Sequence, residues 1–526
     1  MDTSLLRGGT AERSRLLSRP TSGRGSARTG PPTTLVVAAV AVVAVGVVLR
    51  FWTGSQLWLD EALSVNIARL PLSKLPDALR HDGSPPLYYV LLHFWIRAYG
   101  AGDIAVRALS GVLAVASLPL VWMAGRRIGA RAGASAALVL LAASPFAIRF
   151  ATEARMYSLL GVLTLAGFLA LRRLLRRPSA LTAAGVAVLA GLLLLTHYWS
   201  LYMVGVTAAL LMVRLVRRRD RGALYGVVAL AASGLFLVPW LPVFAYQAAH
   251  TGTPWAAGPP PGVVFDTVRE WAGGISGQGQ VLMFLLIALS VLALFARPVD
   301  GRRVELDLRT RPGVRGVTAV CFGTLFVAQL AAILFNSAFV VRYTSVVFPL
   351  FLLIAAHGVL TLTDDRVRRG ALALAVVFGL LGTVANLDGH RTEAGKVAAA
   401  LRRAASPGDV IAYCPDQLGP SVSRLLPPSS VVQLTFPTGG APQFVDWVDY
   451  ATRNHAARSA AFARTVVDRA GPHTLWLVWS IDYRTFGKKC SALVDRLQAL
   501  RPDMKRVVKL SVKYEERLGL IRYRTP

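Results

Sequence analysis

Long apolar runs separated by short polar links dominate this chain. Runs that are long enough, or nearly long enough, to cross a hydrocarbon layer begin near residues 33, 107, 132, 157, 180, 200, 222, 279, 316, 344 and 370. One further apolar stretch, Pro86 to Gly100, is shorter and carries His93 in its middle. It reads as an interfacial helix lying along the membrane, with Tyr88, Tyr89, Trp95 and Tyr99 at headgroup level. The pattern therefore predicts about eleven transmembrane helices. From about His390 the pattern changes to that of a water-exposed domain. Helical stretches (Thr392 to Ala405, His455 to Arg469, Cys490 to Leu500) alternate there with strand-like runs (Val410 to Tyr413, Val431 to Thr435, Leu475 to Trp479, Val507 to Leu510). A small α/β domain is expected over 390–526, after a transmembrane module over 33–389.

Composition agrees: 54% of the 526 residues are hydrophobic and only 16% charged, with a mean hydropathy of +0.50. A net charge of +30 raises nucleic acid as a partner, but the position of the arginines removes that reading. They collect at Arg126 to Arg131, Arg172 to Arg177, Arg214 to Arg221, Arg297 to Arg315 and Arg366 to Arg369, which are alternate links between apolar runs. Lys and Arg are retained on the cytoplasmic side during insertion, so these links are cytoplasmic. The N-terminus then lies inside, and the link 53–106 and the C-terminal domain lie outside. Residues 1–32, with six arginines among Ser, Gly and Pro, read as a disordered basic cytoplasmic tail. The first apolar run ends at Leu49-Arg50-Phe51 without a small-residue cleavage site, so it is expected to stay as an anchor.

The candidate chemistry gathers on the outer side. Asp60 and Glu61 follow the first span at membrane level, where carboxylates are costly unless they are paired, used or wetted. Two solvated loop acids are the plain alternative. His81 and Asp82 precede Gly83-Ser84-Pro85-Pro86, a rigid turn that could hold both against a site. The short link Ile148 to Tyr157, if helical, puts Arg149, Glu153 and Tyr157 on one face, with Arg155 pointing elsewhere. His197 ends a span, and Arg342-Tyr343 precede another. Arginines on the arginine-poor side need a reason, and an anionic ligand is one, because guanidinium holds phosphate bidentately. The eight histidines are scattered, and neither a zinc signature nor a nucleotide-binding fingerprint occurs. Cys321 lies in an apolar run, whereas Cys414 and Cys490 share the outer domain, as a disulfide or as two free thiols.

The acidic pair after the first span, HDGSPPLYY, FATEARMYSLL and the late RY together resemble the GT-C superfamily. In character they are similar to the bacterial family 39 members, protein O-mannosyltransferases and the aminoarabinose transferases of lipid A. The resemblance spans roughly residues 33–362. It implies a GT-C-like membrane fold and transfer of a sugar, most often mannose, from a polyprenyl-phosphate-sugar donor to a hydroxyl on a glycan, lipid or protein, with inversion. Asp60 would then be the general base. Arg342 and Arg155 would hold the donor phosphate, and Glu61, His81, Asp82, Glu153, Tyr157, His197 and Tyr343 would contact substrate. The superfamily implies no fixed cofactor, and a divalent cation stays open. A multi-span transporter or lipid flippase is the alternative, although such proteins place binding groups at the bilayer midplane. A catalytically silent scaffold is a third.

Overall fold

The computed structural model describes residues 33–253, 258–299, 303–335, 337–388, 390–427, 431–481 and 483–525; the tail expected over 1–32 lies outside them. Seven described helices are long and apolar enough to cross a membrane, and three shorter apolar helices accompany them. One of the seven is double, which with the three shorter helices gives eleven apolar helical arms among the described residues, in line with the eleven apolar runs read from the sequence.

The chain opens with α1 (Thr33–Leu49), then places α2 (Leu59–Ala68), α3 (Leu75–Asp82) and α4 (Leu87–Tyr99) in the first long link. The double helix α5 (Asp103–Ala142) follows, folding back on itself where Gly129 and Ala130 leave helical dihedrals. Close approach of its two arms depends on glycine: a Cβ on Gly125 would lie 2.6 Å from the Gly133 carbonyl oxygen. Arg50, just past α1, is 1% exposed and donates to the carbonyls of Leu141 (2.7 Å) and Ala142 (3.0 Å) at the end of α5. It thereby satisfies carbonyls that the helix end leaves without partners.

Next come α6 (Pro145–Ala151) and α7 (Tyr157–Arg176). Ser144 caps α6 by accepting from the Ala147 amide, and Pro145 stands in the first turn. The 148–157 link is not one continuous helix: residues 152–156 form a turn, and Glu153 occupies it. The shared face expected for Arg149, Glu153 and Tyr157 is therefore absent.

In α4, Tyr88 and Tyr89 are fully buried while Tyr99 is 65% exposed. The headgroup placement expected for Tyr88 and Tyr89 is corrected: each hydroxyl has a protein partner, Ser110 for Tyr88 and Asp82 for Tyr89.

The C-terminal region is a mixed five-stranded sheet with order β4-β3-β5-β7-β6, following a short hairpin of β1 (Ala296–Pro298) and β2 (Val304–Leu306) between two spans. The strands are β3 (Val410–Cys414), β4 (Val432–Thr435), β5 (Leu475–Trp479), β6 (Met504–Val508) and β7 (Gly519–Tyr523). β3 runs parallel to β4 and β5, and β7 runs antiparallel to β5 and β6. Two expectations shift. The strand expected at 507–510 begins at Met504, and β7 follows it as an additional strand. The helix expected from His455 starts at Ser459, after the separate helix Tyr450–Ala456. Cys414 and Cys490 are joined as a disulfide with Cα atoms 5.6 Å apart, and Cys321 is free and buried.

The sheet region sits on the first long link. Asn66 donates to the Gln443 carbonyl at 2.7 Å, Arg424 pairs with Asp103, and the Trp447 amide donates to the His81 carbonyl at 3.0 Å.

Candidate active site

Successive helical residues point about 100° apart, so the tandem acids at the start of α2 turn to different surroundings. Glu61 is fully buried. Arg107 clasps it through two bonds of 2.7 and 2.5 Å, the Ala154 amide donates at 2.9 Å, and Arg391 stands 3.8 Å away. Burial pushes this carboxyl up, and the charge and bonds of Arg107, helped by Arg391 and Ala154, outweigh burial and hold it below the usual range. Both arginines also satisfy backbone carbonyls: Arg107 those of Ser55 and Gln56, Arg391 that of Thr152. Glu61 is thereby enclosed as the ionic tie between the first link, α5, the turn before α7 and the C-terminal region.

Asp60 keeps a side-chain exposure of 15% and faces a different pair of arginines. Arg342, in the 3-10 turn Val341–Val346, approaches its carboxylate to 3.3 Å. Arg155, from the turn before α7, donates to Ser64 Oγ at 2.9 Å, to Tyr89 Oη at 3.3 Å and to the Asp60 carbonyl at 3.5 Å. Tyr89 passes the connection on by donating to Asp82 at 2.7 Å. Aromatic rings wall the opposite side. His197 and Tyr343 have centroids 4.7 Å apart, Tyr157 and His197 6.4 Å, and the Arg342 guanidinium lies 5.7 Å from the Trp58 ring. Nδ1 of His197 accepts from the Trp199 amide at 3.1 Å, which leaves its proton on Nε2. The buried Tyr157 hydroxyl has no hydrogen-bond partner among the described residues.

The sequence candidates therefore divide. Asp60, Arg155, Arg342, Tyr157, His197 and Tyr343 converge, and Asp82 joins through Tyr89. Glu61 turns into the sealed cluster. His81 turns away, bonding Asp446 of the C-terminal region at 2.8 Å. Glu153 lies 1% exposed between the two groups, with Oε1 unbonded among the described residues. Burial raises its pKa, partly offset by Arg149 and Arg391. The ion pair recorded for Arg149 is with Glu515, at 2.7 Å.

Several participants were not singled out from the sequence. Arg107 and Arg391 lie next to the arginine-poor links, and the positional argument that singles out Arg155 and Arg342 applies equally to them. Tyr89 was masked by its membership of an apolar run. Glu516 gave no local signal. It reaches from the C-terminal region to the Leu59 amide at the start of α2 and to Ser421 Oγ (3.3 Å). It is 4% exposed, and burial pushes its carboxyl up to about 8. Among the described residues no three His, Cys, Asp or Glu side chains are grouped so as to hold a metal ion.

Solved structures share this architecture. The aminoarabinose transferase ArnT from Cupriavidus metallidurans, bound to undecaprenyl phosphate, superposes with a TM-score of 0.56 over 94% of this chain and 98% of its own length, at 14% identity. Its apo form gives a TM-score of 0.59 at 14% identity, over 93% and 98%. This chain has the GT-C fold. The oligosaccharyltransferase of Archaeoglobus fulgidus, tethered with an acceptor peptide, is also similar, at a TM-score of 0.48 and 10% identity over 88% of this chain and 72% of its own. No protein-family model and no curated protein sequence matches the chain. Within the GT-C fold, the convergent residues lie where the first long link, the turn before α7 and the 3-10 turn before a late span come together.

Proposed function

We propose that the chain is a membrane glycosyltransferase that moves a sugar from a polyprenyl-phosphate donor to an acceptor hydroxyl on the extracytoplasmic face, with inversion. The observation that carries this reading is the Asp60 side chain, 15% exposed, whose buried Oδ2 has no hydrogen-bond partner among the described residues and lies 3.3 Å from Arg342, with Arg155 beside it. A base beside two fixed cations suits a reaction in which a proton is removed at one end and phosphate negative charge grows at the other. The apolar spans provide the setting for an isoprenoid-bearing donor, and the GT-C fold is consistent with one. The outer-face assignment follows from the arginine alternation. The division into a membrane module (33–389) and an α/β domain (390–526) belongs to the same proposal.

In this mechanism the acceptor oxygen attacks the anomeric carbon from the face opposite the phosphate. Asp60 takes the acceptor proton as the new C–O bond forms. The old C–O bond breaks with its electron pair going to the leaving phosphate, whose charge Arg342 and Arg155 stabilise. Arg342 has a second consequence. A donor phosphate competes with Asp60 for its guanidinium, so donor binding releases the carboxylate to accept a proton. Glu153, Tyr157, His197, Tyr343 and Asp82 would orient sugar or acceptor. The sugar is a hexose or pentose, with mannose the first to test.

The test uses full-length protein in lipid, a panel of polyprenyl-phosphate sugars and envelope glycan acceptors. Wild type transfers one sugar, and Asp60→Asn lowers transfer roughly a thousandfold, within the range of general-base catalysis. Full activity in that variant removes Asp60 as the base, and uptake or lipid translocation without transfer selects the transporter or flippase instead.

A further inference from the structure

We propose that the seam between the C-terminal region and the membrane module is a docking cleft for an anionic glycan acceptor, an inference that rests on the glycosyl-transfer reading. Two cavities carry it. The first, about 380 Å3, has His250, Thr253 and Ser337 on one wall and Trp447, Asp449 and Tyr450 on the other. The second, about 560 Å3, is lined by His455, Arg484, Thr485, Lys488 and Lys489. Ala451 and Arg484 line both, so the two cavities adjoin along the seam.

Both walls of the first cavity belong to, or bond with, chain segments that carry candidate active-site residues. Ser337 precedes Ala338, whose amide donates to Thr253 Oγ1 at 3.0 Å, and the same short segment leads to Arg342. On the other wall, the Trp447 amide donates to the His81 carbonyl at 3.0 Å, one residue from Asp82 and its chain through Tyr89 to Arg155. A ligand lying in the seam is thus bordered by the two segments that carry Arg342 and Asp82.

The chemistry changes along the cleft. At the membrane-module end, the half-buried Trp447 ring lies 4.8 Å from Tyr450, beside the His250–Asp449 pair at 3.2 Å. An aromatic face next to hydrogen-bonding groups suits a sugar ring, which is apolar on its C–H face and polar at its rim. The far end is basic and its lining contains no acid. Among the described residues, Arg484, Lys488 and Lys489 have no ion-pair partner, and Lys489 Nζ is held by the carbonyls of His455 (2.8 Å) and Ala457 (2.7 Å). Lys488 and Lys489 also begin the helix Lys489–Leu500, where the backbone dipole is already positive. Arg484 and Lys488 are exposed, so this cluster of cations is open to an anion arriving from solution. A phosphate or carboxylate on the acceptor fills that role, with the acceptor's sugar lying toward Trp447.

Full-length protein in neutral phosphatidylcholine nanodiscs is titrated with a phosphorylated oligomannose and with the same oligomannose after phosphate removal. Wild type binds the phosphorylated form about tenfold more tightly, a difference of about 1.4 kcal/mol. Arg484→Gln with Lys488→Gln abolishes the preference, and Arg484→Lys with Lys488→Arg restores it, which separates lost charge from lost folding. Equal binding of the two sugars by wild type overturns the proposal, as does an unchanged preference in the glutamine variant. So does a phosphate effect that disappears when anionic lipid is added, because the basic end would then be a headgroup contact. Binding is read without turnover. A preference without any transfer strikes the glycosyl-transfer reading and with it the acceptor role, whereas transfer without a preference strikes the cleft alone.

Discussion

Asp60 and Glu61 are neighbours in sequence, similar in chemistry and each flanked by two arginines, yet they occupy opposite kinds of surroundings. Glu61 is fully buried and its carboxylate oxygens are taken up by Arg107, Arg391 and the Ala154 amide. Asp60 retains access to solvent and a single longer approach from Arg342, while Arg155 spends its bonds on Ser64, Tyr89 and the Asp60 carbonyl. A closed ion cluster stabilises an arrangement but leaves no lone pair for a substrate. An open one leaves a reactive oxygen at the cost of less complete solvation. The pair teaches that two charges of one kind side by side can divide structure from chemistry, with helical rotation as the switch between them.

Substitutions that separate stability from activity test this contrast. Glu61→Gln keeps the shape but strands the buried guanidinium of Arg107, so it is expected to cost about 3–5 kcal/mol, read as a large fall in melting temperature of the detergent-solubilised protein. Asp60→Asn, expected to lower transfer roughly a thousandfold, should melt within a few degrees of wild type. If the two variants lose stability equally, the division between them is wrong. Arg342→Gln is expected to lower kcat by about 10²–10³ with a smaller change in melting temperature, because in the proposed mechanism its guanidinium stabilises the departing phosphate.

Glu516 sharpens the comparison from the C-terminal side. Its folded-state pKa is raised to about 8 by burial, whereas the unfolded carboxyl titrates in the ordinary range. Between those values the folded protein holds a proton that the unfolded chain has released, so stability falls as pH rises across that window. Melting curves from pH 5 to 8.5 should show wild type losing several degrees relative to Glu516→Gln, and parallel curves would contradict the burial. The smallest effect is expected at His81. Its pair with Asp446 is half-exposed, at 45% and 46%, so His81→Ala should cost under about 1 kcal/mol and leave transfer within a factor of three.

Much of the architecture was legible in residue order, because a bilayer imposes a length on apolar runs and the insertion machinery sorts arginine. Those two constraints are local, and they were enough to predict a many-span helical chain and a short helix within Pro86 to Gly100. Candidate chemistry was legible where a residue was out of place for its side, as with Arg155 and Arg342. Arg107 and Arg391 carry the same positional signal, but their shared partner Glu61, 46 and 330 residues away, is not legible locally, and Glu516, 457 residues from Leu59, gives no local signal at all.

By itself, then, the sequence determined a many-span membrane chain, the residues that border one face and a C-terminal region of mixed helices and strands, since each follows from hydrophobic length, charge position or short-range periodicity. Only the tertiary structure decided which of two adjacent acids is sealed and which is open, that Tyr89 faces inward, that His81 serves the seam and that a C-terminal carboxyl reaches α2. Those outcomes depend on the direction of side chains and on contacts between distant segments, which are fixed when the elements pack and not before.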